Sequence, residues 1–78
     1  MGRYFFHLFN DLDVPDLEGR DLPDDDAARE VAIAEAREMI AESVRKGSLN
    51  LSHRIDVENR FRQPVVTVRY RDAIKLTE

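Results

Sequence analysis

The segment Arg3-Tyr4-Phe5-Phe6-His7-Leu8-Phe9 constrains this chain more than any other. It is aromatic, short and bounded by an Asn10-Asp11 turn signal, so it predicts a β-strand. Strand side chains alternate, which puts Tyr4, Phe6 and Leu8 on one face and Phe5, His7 and Phe9 on the other. Both faces are apolar. A strand with one wet face alternates apolar with polar residues, so this one has to lie between two coverings.

Few elements are available to supply them. The chain has 78 residues, which makes one domain spanning 1–78, with one thin core and no enclosed pocket of enzymatic size. The most regular element runs from Asp24 or Asp25 to Lys46 and reads as an amphipathic helix. Acidic residues crowd its first turn, Arg45 and Lys46 occupy its last, and Gly47 sits where a left-handed terminating residue is expected. Ala28, Ala32, Ile33, Ala36, Met39, Ile40 and Val44 fall within one arc of about 160°. The alanines predict close approach to a sheet, and Val31 departs from the pattern on the outer face.

The stretch 10–23 is an Asp-rich loop punctuated by Pro15, Gly19 and Pro23. Leu12, Val14, Leu17 and Leu22 are expected to pin it to the body, with room for a short strand at Arg20–Leu22. After the helix, Leu49 and Leu51 are placed to cap one end of the core. Arg54–Glu58 predicts a strand with Ile55 and Val57 inward. Val65–Arg71 predicts another, with Val66, Val68 and Tyr70 on one face, and Asn59–Gln63 joins the two as a hairpin loop. The tail 72–78 is compatible with a strand extension or a short turn. Together these give an α+β fold, β-α-β-β, with a small three-stranded sheet and one long helix packed on one face. A right-handed crossover follows if the first two strands are parallel.

Charge is unevenly spread. The net of −4 divides into residues 1–44, with 4 basic against 12 acidic side chains, and residues 45–78, with 8 basic against 4 acidic. Such asymmetry steers partners or orients self-assembly. With no cysteine there is no disulfide framework and no thiolate chemistry. No apolar run approaches the ~20 residues that span a bilayer, and no signal-peptide core is evident. The expected compartment is the cytosol.

Three groups of residues look familiar together: Arg3-Tyr4-Phe5-Phe6-His7-Leu8, then Glu18-Gly19 and Leu22-Pro23-Asp24 before an alanine-rich helix, and finally Arg71-Asp72-Ala73. They resemble a family of very short bacterial proteins, common in rhizobia and their relatives, classed as a domain of unknown function. The likeness spans nearly the whole chain. It supports the fold and implies no activity, cofactor or catalytic residue. Asn59-Arg60-Phe61-Arg62-Gln63 stands where that family has a more acidic, glycine-bearing turn, so a role built on this loop would be particular to this chain.

Nucleophilic catalysis needs a hydroxyl or thiol beside an oriented base. Ser43 belongs to the helix arc, and Ser48 and Ser52 to loops. His7 could meet Asp56 or Asp72 across the sheet, which leaves a weak enzyme reading around His7. Asp11, Asp13, Asp16, Glu18 and Asp21 form an oxygen-rich run, but Val14-Pro15 interrupts a calcium-loop spacing and no glycine holds the sixth position. His7 and His53 make no zinc signature. No metal and no cofactor is expected.

Two binding surfaces remain. Arg60, Phe61, Arg62, Arg69 and Arg71, with Arg54 and Lys75 nearby, decorate the hairpin, and Arg60-Phe61-Arg62 can stack on bases and contact phosphates. The acidic balance disfavours nucleic acid as the partner. Phe5, His7 and Phe9, with Val65 and Thr67, form a sheet face that no predicted helix covers, and contiguous exposed apolar patches mark interaction sites. The reading is therefore a protein-interaction or regulatory module, self-associating as a homodimer through that face or binding another protein. The other way to cover the face is the 10–22 loop.

Overall fold

The computed structural model describes residues 2–77. The aromatic segment forms β1 (Gly2–Phe9). Its C-terminal half pairs antiparallel with β4 (Arg54–Glu58), from Phe5 opposite Glu58 to Phe9 opposite Arg54. A hairpin then brings β5 (Pro64–Arg69) antiparallel against β4, with a bulge at Val57/Glu58. The other edge of β1 is shared by two short strands. β2 (Asp13–Val14) lies against Leu8 and Phe9, and β3 (Arg20–Leu22) lies against Gly2–Tyr4.

The sheet thus has five strands rather than three, all paired antiparallel. Short-range turn chemistry accounts for the difference. The Asn10 side chain accepts the Leu12 N–H at 2.9 Å, folding the chain back along β1 at once. β1 and β4 are antiparallel, so the condition for a crossover between parallel neighbours is not met by that pair. Instead β3 and β4 run parallel on either side of β1, and α1 (Asp25–Arg45) carries the chain across.

The ends of α1 follow from its sequence. Asp24 accepts the Ala27 N–H at 2.8 Å, and Asp25 and Asp26 sit in the first turn. At the other end Gly47 adopts φ 91°. Its N–H reaches Val44 O and the Ser48 N–H reaches Ser43 O, which closes the last turn. Ala28, Ala32 and Ala36 are wholly buried and let the helix lie close over Tyr4, Phe6, Ile55, Val57 and Val68. Burying a side chain such as Ile55 or Val57 contributes about 1.5–3 kcal/mol.

Val31, expected on the outer face, packs against the core. The reason is β3, which reaches beneath that side of the helix; Arg20 of β3 pairs there with Glu35. Val44 lies beyond the sheet and is exposed.

Of the four hydrophobic residues expected to pin the 10–22 loop, only Leu22 packs against the core. Leu12 and Leu17 are 72% and 82% exposed, and Val14 is exposed as well. Asp16 holds the loop instead. One carboxylate oxygen accepts the N–H of Phe6 at 3.1 Å; the other accepts those of Glu18 at 3.1 Å and Gly19 at 3.0 Å. The last strand ends at Arg69 rather than the expected Arg71, because Tyr70 and Arg71 enter a one-turn helix, α2 (Tyr70–Ala73), whose buried Tyr70 donates its N–H to His53 O at 2.8 Å. Leu51 packs against the core beside it. Among the described residues no helix is long and apolar enough to cross a membrane.

Candidate binding surfaces

With α1 on one face, the other face presents Phe5, His7 and Phe9 of β1, Arg54, Asp56 and Glu58 of β4, and Thr67 and Arg69 of β5. It is not the open apolar patch expected. Phe5 is only 9% exposed, because the Arg62 guanidinium lies over its ring, 4.0 Å from the centroid. Arg54 covers Phe9 in the same way at 4.3 Å. The covering is ionic rather than a second hydrophobic layer. Arg62 stands 3.8 Å from Glu58, Arg54 stands 3.2 Å from Asp56, and Thr67 donates to Asp56 at 3.1 Å. Cation–π stacking suits such a position, since the arginine covers the ring while its charged edge stays in water.

His7 is the centre of this network. Its Nδ1 accepts the Asp16 N–H at 3.0 Å, so Nε2 carries the proton and donates to Glu58 at 2.7 Å. Neither Asp56 nor Asp72 meets His7. Asp56 lies directly opposite it, but the diagonal Glu58 has the longer reach. Both ring nitrogens hold the fold together and neither faces a hydroxyl nucleophile. Burial alone would push the Asp16 carboxyl up. The three backbone N–H groups it accepts, helped by His7, outweigh that and hold it below the ordinary carboxylate value.

The hairpin tip is the second surface. Asn59 organises it through five hydrogen bonds. Its backbone N–H donates to Gln63 O and its O accepts from Arg62, each at 3.0 Å. Its side-chain oxygen accepts the N–H of Phe61 at 2.9 Å and of Gln63 at 3.0 Å, and its amide donates to the Gln63 side chain at 3.0 Å. This geometry puts Arg62 at φ 63°, a left-handed conformation that usually falls to glycine. The ring of Phe61 is not folded onto the core. It is 66% exposed, with the Arg60 guanidinium 4.7 Å from its centroid.

The five basic-hairpin residues do not converge. Arg60, Phe61 and Arg62 share the tip, whereas Arg69 and Arg71 lie at the far end of β5, past Asp56 and Glu58. Arg62 is already committed to Phe5 and Glu58.

A third feature had no signal in the sequence. The far end of the barrel-less sheet opens into a polar groove lined by Asp11, Ser43, Lys46, Asn50, His53 and Tyr70. Tyr70 meets the His53 ring edge to face at 5.4 Å, and burial pushes its phenol up. Residues from four separate segments meet there, so no local spacing could have announced it. Among the described residues, no three His, Asp or Glu side chains converge as a metal site requires.

A family model described as a domain of unknown function (DUF6894) matches residues 3–71. No curated protein and no solved structure matches the chain.

Proposed function

The chain belongs to the DUF6894 family, a domain of unknown function, and from its own geometry we propose that it is a small non-enzymatic module that binds another protein through its hairpin tip. The observation that carries this reading is Phe61, a large aromatic ring 66% exposed on a loop that five hydrogen bonds hold in one shape. A rigid aromatic anchor loses little entropy on docking, and such residues, flanked by arginine, dominate protein interfaces. The partner is a protein with an apolar pocket that takes Phe61 and bears a carboxylate at its rim for Arg60. Nucleic acid is the poorer fit, because Glu58 and Asp25 flank the tip and the chain as a whole is at −4. The engagement of both His7 nitrogens within the fold supports a structural role for that residue rather than a catalytic one.

The test is a comparison of wild type with Phe61→Ser in capture from a lysate of the source cell, alongside anisotropy with a labelled single-stranded oligonucleotide. Wild type is expected to retain a protein that Phe61→Ser does not, while both variants unfold alike. Equal retention by both, or retention of oligonucleotide alone, would overturn the reading.

A further inference from the structure

β5 is the outer strand of the sheet, and its outward edge has no strand partner among the described residues. The direction of its backbone groups follows from the ladder. The Phe6 N–H points away from β4, to Asp16 at 3.1 Å, so the Phe6–Val57 pair is not hydrogen-bonded and Val57 turns its backbone to Val66. By the same alternation Val68 bonds Ile55, and both backbone groups of Thr67 point out of the sheet. The next outward donor, the Arg69 N–H, is taken by Asp72 at 3.4 Å. The run Val65–Val68 is β-branched and uncharged. Natural sheets normally blunt such an edge with lysine or cover it.

A groove follows this edge between β5 and α1, lined by Ile33, Val66 and Val68 with Arg29 and Asp72. The Tyr4–Asp25 bond sets the first turn of α1 at the end where β5 begins, and the Arg37–Ala73 bond sets its middle where β5 ends. Arg29 therefore stands towards Val66, and Asp72 beyond Val68. Each carries a charge that no ion pair among the described residues satisfies.

The geometry points to a second copy of this chain on that edge, with the two β5 strands antiparallel about a two-fold axis at Thr67. Each Thr67 exchanges its N–H and C=O with its mate, and Val66 faces the partner strand at the level of Val68. Antiparallel pairing reverses the groove, so Arg29 of each copy meets Asp72 of the other. A foreign strand could take the backbone bonds, but a second copy brings its own Asp72 and Arg29 to the two positions where this copy presents Arg29 and Asp72. The axis runs normal to the sheet, so both helices lie on one side and the two arginine-covered faces join on the other. Phe61 lies outside the paired segment, so this pairing is independent of the hairpin-tip reading.

Light scattering coupled to size exclusion, over a range of concentrations, tests it. Wild type is expected to reach twice 9.1 kDa. Thr67→Pro removes an N–H that β4 does not use, and is expected to weaken the dimer at least about tenfold. Arg29→Glu is expected to weaken it about tenfold, and Arg29→Glu combined with Asp72→Lys to restore it, since charge repulsion is exchanged for attraction. The swap keeps the test decisive should Thr67→Pro fail to fold. A monomer at every concentration, or a dimer indifferent to Arg29→Glu, overturns the pairing; so does a double variant that stays as weak as the single. Phe61→Ser leaves the mass unchanged, which separates this surface from the tip.

Discussion

Arg62 lies over Phe5, guanidinium to ring centroid 4.0 Å, while its own backbone sits at φ 63°. A loop residue in an unfavourable conformation thereby closes a core position of the first strand, 57 residues earlier in the chain. Side-chain cover and backbone strain oppose each other at one residue, and substitution separates them.

Arg62→Ala keeps the left-handed backbone and removes the cover. It is expected to destabilise by about 1–2 kcal/mol, from the lost stack and the newly wetted ring. Arg62→Gly loses the same cover but relieves the strain, worth about 1 kcal/mol. The glycine variant should therefore show the higher urea midpoint of the two. Equal midpoints would mean that φ at this position costs nothing.

Asp16 predicts an acid sensitivity with a defined sign. Its carboxyl is held below its ordinary 3.8, so its stabilisation is complete above that value and is lost as pH falls below it. Asp16→Asn retains an oxygen for Glu18 and Gly19 but presents an N–H to Phe6, at a cost of about 1–2 kcal/mol near neutral pH. Urea midpoints followed downwards from neutrality should fall more steeply below pH about 3.8 for wild type than for Asp16→Asn. Parallel curves would remove Asp16 from the acid response.

At the alkaline end, the hydrogen bond from Tyr4 to Asp25, 2.7 Å long, together with burial and the charges of Asp25 and Asp24, pushes the Tyr4 phenol from 10.0 up to about 12. The stabilisation is present below 10.0 and disappears as pH rises through about 12. Ultraviolet titration of tyrosinate should lose its highest-pH component in Tyr4→Phe. The remaining transition belongs to Tyr70, the other tyrosine, which burial also raises.

Two glycines with positive φ make a matched comparison. A Cβ on Gly19, at φ 72°, would come within 2.9 Å of Arg3 Cγ and Tyr4 O and within 3.0 Å of the Phe5 ring. One on Gly47, at φ 91°, would meet nothing within 4 Å. Gly47→Ala is expected to cost about 1 kcal/mol, the conformational price alone. Gly19→Ala adds the clash and should cost more than about 2 kcal/mol. Thermal unfolding of both variants checks the ordering.

Much of the fold was legible because its signals are local. The helix announced itself through the Asp24 cap, the buried alanines at every fourth position and Gly47. The hairpin was bounded correctly at Asn59–Gln63 because a turn separated two β-branched runs. β2 leaves no trace in the sequence because two residues carry no periodicity, whereas Arg20–Leu22 reads as a short strand; its place beneath α1, which draws Val31 inward, is set only by the tertiary fold.

The binding surfaces were legible only as residue names. Alternation alone put Phe5, His7 and Phe9 on one face, and it required that face to be covered. What covers it was decided in three dimensions. Arg62 and Arg54 stack on the rings, Glu58 takes His7 diagonally, and Asp16 gathers three backbone N–H groups from two segments. Periodicity is a property of neighbours in the chain, and the sequence by itself determined the elements and their apolar faces. Which polar side chain closes which aromatic ring depends on distances between residues tens of positions apart, and those exist only once the sheet has formed.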